Sequence, residues 1–263
     1  MDLGLQGRVV LVTGSNRGIG RAIARSAAAE GAIVALCGRN EELGLDAVAE
    51  LGEDRASWFT VDVTDPEAVG ALPAAVMGRL GRLDAVVNNA GRFGGGPAVE
   101  LTAEGIHDGI DTKVAGAVGL VRAALPALRQ SDQARVVNIG GVSAQRVTPG
   151  AAVTAIANSG MNTLTAYLAR ELAPDGVNVN CVIPGYTLTP PWQARAAALA
   201  EAEGLTQEQA EATILQRQDM GHSRWGQDQE IAWPVVFLLS AQARFINGAA
   251  FRVDGGQFLA IQR

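Results

Sequence analysis

Seven short β-branched or aliphatic runs alternate with six helical patterns along this chain, and that alternation leaves few folds open to it. The runs fall at about 8–13, 32–37, 56–61, 84–88, 135–139, 177–182 and 249–253, each closed by a turn signal. The helical patterns lie between them, at about 18–30, 41–51, 66–79, 103–129, 151–173 and 228–240. Such an order predicts an α/β fold in which a parallel sheet carries helices on both faces. Ligands of these sheets bind outside the carboxyl ends of the strands, near the switch in strand order, so the strand ends are where chemistry is expected. With 263 residues, 48% of them hydrophobic, the chain suits one domain over 1–263 rather than two.

The first strand end is the most specific. Val9 to Val12 stops at Thr13-Gly14, and a helical pattern begins near Arg17, with glycines at 14, 18 and 20. A buried strand that turns sharply into a helix aims free N–H groups and a positive dipole end at one spot, which favours a phosphate. Glycines as plain turn punctuation are the alternative, but the strand before and the helix after favour a dinucleotide site. Gly14, Ser15, Asn16, Arg17, Gly18, Ile19 and Gly20 are its candidate cradle.

The second run ends in Gly38-Arg39-Asn40, where an acidic residue would bind a ribose 2′-hydroxyl and repel a 2′-phosphate. Arg39, with Arg17 as a second guanidinium, suits the phosphate instead, so NADP(H) is expected over NAD(H). A solvated surface arginine is the competing reading. The third run ends in Asp62-Val63, with Asp62 a candidate partner for an adenine amino group and Asp65 a helix N-cap. The fourth ends in Asn88-Asn89-Ala90-Gly91, poor strand formers that imply a turn shaped for close backbone approach.

Net charge is −6 with no basic stretch, which argues against nucleic acid and anionic membranes as partners. Cys37 and Cys181 fall in buried strands without metal-ligand spacing, so no metal site is expected and a reducing compartment is implied. No apolar run reaches 18 residues and no signal peptide is evident, so a cytoplasmic protein is expected.

Taken together, Thr13-Gly14 through Gly20, Asp62-Val63, Asn88-Asn89-Ala90-Gly91, Asn178-Val179-Asn180, Ile183-Pro184-Gly185, Arg224-Trp225-Gly226 and Val253-Asp254-Gly255-Gly256 resemble the short-chain dehydrogenase/reductase family. The resemblance spans essentially the whole chain. It implies a seven-stranded Rossmann sheet, a nicotinamide cofactor, a small-molecule substrate, and a homotetramer or homodimer. It also implies that Asn89, Ala90, Gly91 and Ile139 border the cofactor, that Pro184, Gly185 and Thr187 line the nicotinamide, and that Thr189 reaches the pyrophosphate.

The same resemblance marks what has changed. The family uses an asparagine, a serine and a Tyr-x-x-x-Lys pair, and spacing from Gly91 and Pro184 places these at Lys113, Gly141, Thr154 and Asn158. Only Tyr167 and Tyr186 exist, and neither has a lysine four residues on, so the loss holds in any register. A threonine hydroxyl cannot exchange protons at neutral pH, and roughly 100- to 10,000-fold of acid help would be missing for carbonyl reduction. Three readings remain open. One is hydride transfer to a substrate needing no strong acid, such as an imine, an iminium or an activated alkene. The second is non-redox chemistry on the same fold, and the third is a cofactor-binding protein without catalysis.

Replacement groups can be named. Lys113, the only lysine, either projects into the vacated site with a lowered pKa or salt-bridges Asp108 or Asp111. Tyr186 either walls the pocket or donates a hydrogen bond. Ser143, Gln145 and Arg146 would orient a polar or anionic substrate, or simply form a loop. Asn158 retains the means to hydrogen-bond a nicotinamide ribose. Residues of about 188–225 form a substrate lid by resemblance, with Leu188, Trp192, Trp225 and Phe93 as candidate walls of an apolar pocket. His107 is expected on a surface helix and His222 exposed. Ile156, Gly160, Leu164, Leu168 and Leu172 predict an apolar stripe on one helix, with Ala157, Gly160 and Ala169 permitting approach of a second copy.

Overall fold

The computed structural model describes residues 2–92, 96–217 and 224–257. The strands are β1 (Val9–Thr13), β2 (Ile33–Gly38), β3 (Ala56–Thr60), β4 (Ala85–Asn88), β5 (Arg135–Ile139), β6 (Asn178–Pro184) and β7 (Ala250–Val253). They form one sheet in the order β3-β2-β1-β4-β5-β6-β7, every neighbouring pair parallel. The order reverses between β1 and β4, which opens a crevice at their carboxyl ends.

The helices are α1 (Gly18–Ala29), α2 (Glu41–Leu51), α3 (Pro66–Leu80), α4 (Ala103–Ile110), α5 (Gly116–Leu128), α6 (Ala152–Leu172), α7 (Pro190–Glu203), α8 (Gln207–Arg217) and α9 (Asp228–Leu239). They cover both faces. Val10, Val12, Val34 and Leu36 pack against α1, α2 and α9, while Val9, Leu11, Ala35 and Cys37 face α3, α5 and α6. Each inner strand is thus buried on both sides, which is why it reads as an unbroken apolar run. Asp65 caps α3 through the N–H groups of Glu67 and Ala68, as expected.

The single helix expected over 103–129 is interrupted. Between α4 and α5 lies a π turn, Asp111–Ala115, and it carries Lys113. Glycines flank it where the chain is crowded: a Cβ at Gly109 would stand 2.5 Å from Val153, and one at Gly116 would stand 2.7 Å from the Val63 carbonyl. The Thr112 hydroxyl also donates to the Asp108 carbonyl within the widened turn. Such turns are rare and cluster at functional sites.

The α6 stripe needs correcting as well. Its sheet-facing side is Val153, Ala157, Met161, Thr165, Ala169 and Leu172, one position away from the expected set over most of its length. Ala157 and Ala169 are buried within the chain and are not available to a second copy. Ile156 is exposed, while Leu168 packs at the margin of the core.

The described part of the segment about 188–225, expected to be a lid, carries the helices α7 and α8. It has a small core of its own, built from Tyr186, Ala196, Ala210, Ile214, Leu215 and Trp225. No helix among the described residues is long and apolar enough to cross a membrane.

Candidate active site

A cleft of about 940 Å³ runs along the carboxyl ends of the strands, at the upper end of the range for small-molecule sites. Its first part is made of backbone. Gly14 and Gly18 hold φ of 63° and 54°, a region that favours glycine. Gly20 lies so close to the turn that a Cβ there would stand 2.3 Å from the Gly14 carbonyl oxygen. The neighbouring strand end braces this turn. The Asn89 side-chain amide donates to the carbonyls of Thr13 and Gly14 at 2.9 and 3.0 Å. The Thr13 hydroxyl oxygen accepts from the backbone N–H of Asn89 and of Ala90, both at 2.9 Å. Thr13 was not singled out from the sequence, although a polar residue ending a buried apolar run is the signal that marks it.

Asn16, Arg17, Gly18, Ile19 and Gly20 border the cleft, whereas Ser15 does not. Its hydroxyl is fully buried and bonded to the backbone of Cys37, so it ties β1 to β2 instead of facing a ligand. At the far end lie Arg39, Asn40, Asp62 and Val63. The Asn40 side chain is committed to capping α2 at the Leu43 N–H. Arg39 stands 3.7 Å from the Asp62 carboxylate. The Thr64 N–H and hydroxyl, with the Arg39 charge, hold Asp62 below the usual carboxylate range.

The other end of the cleft is made of side chains. Lys113, Ser143, Thr154, Asn158 and Tyr186 all border it, with Gly91, Ile139, Pro184, Gly185, Thr187 and Thr189 between the two ends. Lys113 forms no salt bridge with Asp108 or Asp111. Asp108 is paired with Arg92, and the lysine Nζ donates to the Gly140 carbonyl at 3.2 Å. Burial pushes its pKa down to about 8.

Asn158 is buried, and its Nδ2 donates to the Ser143 hydroxyl oxygen at 2.9 Å. Its Oδ1 is buried with no partner among the described residues, and so is the Thr189 hydroxyl. Two orphaned acceptors on one cleft fit a ligand that brings donors or a polar backbone of its own. Gly141 belongs to the same arrangement, because a Cβ there would stand 2.4 Å from Asn158 Nδ2. Tyr186 is buried against Trp192 and Trp225, and burial raises its phenol pKa against a hydrogen bond with Thr148. It is a wall.

The expected partners Leu188 and Trp192 join this lid cluster, while Phe93 and His222 lie outside the described residues. His107 is exposed on α4. Among the described residues no group of three or more His, Cys, Asp or Glu is placed to hold a metal.

A family model described as Enoyl-(Acyl carrier protein) reductase matches residues 14–257. The 3-oxoacyl-[acyl-carrier-protein] reductase FabG of Vibrio cholerae is 34% identical over 257 residues, 98% of this chain and 100% of that one. Among solved structures, L-sorbose reductase of Gluconobacter frateurii with NADPH and L-sorbose superposes with a TM-score of 0.95 at 30% identity, covering 99% and 100% of the two chains. A short chain dehydrogenase of Burkholderia cenocepacia in complex with NADP gives 0.84 at 33% identity, covering 96% and 98%.

Proposed function

The chain belongs to the short-chain dehydrogenase/reductase family, and from that membership we propose an NADP(H)-dependent oxidoreductase whose active site works without the family's tyrosine acid. When bound, the nicotinamide supplies or takes a hydride. The turn from Gly14 to Gly20 and Thr189 would hold the pyrophosphate, and Pro184, Gly185 and Thr187 the nicotinamide. The unpartnered Asn158 Oδ1 would accept from the nicotinamide ribose. Arg17 and Arg39 favour a 2′-phosphate, and both neighbours named with a cofactor carry NADPH or NADP.

The Asn-Ser-Tyr-Lys set is replaced by Lys113, Gly141, Thr154 and Asn158, so the substrate is one that needs no tyrosine acid, an imine, an iminium or an activated alkene, and takes any proton it needs from Lys113. The observation that carries this reading is Lys113, half-buried with its Nζ on the Gly140 carbonyl and its pKa pushed down to about 8. An amine in that range donates a proton at neutral pH. Ser143, held by Asn158, offers its hydroxyl to the substrate. Thr154 lines the pocket without acid character. Self-association is proposed through α5 and α6, where Val118, Ile156 and Tyr167 are 38%, 44% and 65% exposed. Sedimentation of a monomer would contradict it.

Titration with NADPH and with NADH, read by calorimetry, is the first test, and absence of binding to both overturns the proposal. Turnover of imine and enone acceptors then separates hydride transfer from the other two readings. A chain that binds NADPH but oxidises none of it would be a non-redox enzyme or a binding protein.

A further inference from the structure

The cleft beyond Pro184 and Gly185 carries a charge that hydride transfer does not use. Tyr186, Trp192 and Trp225 cluster there, with ring centroids 4.8, 5.4 and 6.1 Å apart. Arg195, one helical turn from Trp192 along α7, lays its guanidinium over the Trp192 ring, 5.3 Å from its centroid. It borders both the main cleft and an apolar cavity of about 150 Å³ behind it. A guanidinium placed over an aromatic face can still offer N–H groups to a second partner.

The surrounding charges leave that edge unanswered. Arg217, on the same small cavity, is committed to Glu203 at 3.0 Å. The carboxylates bordering the cleft are also engaged, Asp62 with Arg39 and Asp108 with Arg92. Arg195 forms no salt bridge among the described residues, and its charge acts on the Tyr186 phenol alongside the larger effect of Arg146, whose guanidinium donates to the Gln257 carbonyl. Lys113 adds a second cation to the same end of the cleft. In a chain of net charge −6, this is a local positive recess beside aromatic rings, with the exposed Arg195 at its rim and the half-buried Lys113 within.

We propose that the recess is a carboxylate-binding subsite, in which Arg195 braced on Trp192 holds the carboxylate of a substrate whose apolar body lies along Tyr186 and Trp192. The inference rests on the reading of the cleft as a nicotinamide and substrate site. A planar guanidinium matches a planar carboxylate in a bidentate pair, and the phosphate arm of the test below separates this fit from a preference for charge alone. The carboxylate is an anchor remote from the reacting atoms, and its binding energy serves to orient them. Two cations at this end also repel an iminium, so among the proposed acceptors an activated alkene bearing a carboxylate fits best.

The test is calorimetric titration of the full chain, with and without NADPH, using 3-phenylpropionate, its methyl ester and phenethyl phosphate. The acid should bind roughly tenfold tighter than the ester, a preference lost in Arg195→Gln and partly kept in Arg195→Lys, with NADPH affinity unchanged in both. Equal binding of acid and ester overturns the proposal, as does binding of neither. An acid preference that survives in Arg195→Gln, or a phosphate bound tighter than the acid, overturns it too. Parallel loss of NADPH affinity in Arg195→Gln would assign the guanidinium to the cofactor. Failure of the native chain to bind NADPH breaks the oxidoreductase reading, while the cofactor-free titrations still report on the carboxylate.

Discussion

The two ends of the cleft are built by different means. At the glycine turn the shape is set by backbone, by Gly14 at positive φ, by Gly20 against a carbonyl, and by Asn89 and Thr13 bonded to main chain. At the lysine end the shape is set by side chains that depend on one another, with Gly141 leaving room for Asn158 and Asn158 holding Ser143. A backbone cradle tolerates few changes and serves any dinucleotide. A side-chain set can be rewritten as a group, but its members cannot be changed singly without loss.

The largest effect is expected where backbone crowding is worst. Gly20→Val should abolish NADPH binding and destabilise the fold by about 2 kcal/mol or more, since no flexible group can yield to the new side chain. Calorimetry and thermal melts read both losses. Wild-type affinity in this variant would dissolve the contrast between the ends.

Next comes the chemistry. Lys113→Met should lower turnover by roughly 100-fold and remove a pH limb near 8. Activity in the native chain should be full below that pH, where the amine is protonated, and fall as pH rises through it. A pH profile of the same shape in the variant would dismiss the lysine as the acid. The interlocking of the side-chain end makes a third prediction. Gly141→Ala should cost about 1–2 kcal/mol of stability, and the cost should shrink when Asn158→Ala is present, giving a coupling of about 1 kcal/mol in a double-mutant cycle. Strict additivity would mean that the two residues do not interlock.

Arg39→Ala should have a smaller effect, weakening NADPH by roughly tenfold and NADH hardly at all. Smallest and most diffuse is the linkage of Lys113 to folding. Its folded pKa, about 8, lies below its ordinary value of 10.5, so the unfolded chain binds more protons between them. Stability should therefore rise with pH across that window, and Lys113→Met should flatten the rise in melts followed from pH 8 to 10.

What could be read in advance divides along the same line. The strands, the glycine turn and the Asp65 cap depend on neighbours within a few residues, and local pattern exposes them. The partnership of Asn158 with Ser143 spans fifteen residues of chain and exists only once α6 meets the loop after β5. The π turn leaves no mark, because the apolar period on either side continues through it. On α6 the leucines drew the expected stripe, yet small and polar residues, Ala157, Thr165 and Ala169, take the face that lies on the sheet. Close approach there is decided by size, which hydrophobicity does not register. Ser15 shows a related limit, since its position within the turn does not reveal whether its hydroxyl faces outward or inward.

The small separate core beneath α7 and α8 has a consequence for how such a chain diversifies. Because its apolar contacts are distinct from the two layers that clothe the sheet, this unit can exchange its amide hydrogens without unfolding the rest. Mutations there draw on a separate reserve of stability. Under the proposed function, substrate preference would drift through α7 and α8 while the sheet and its cradle stay intact, giving one scaffold a replaceable front end.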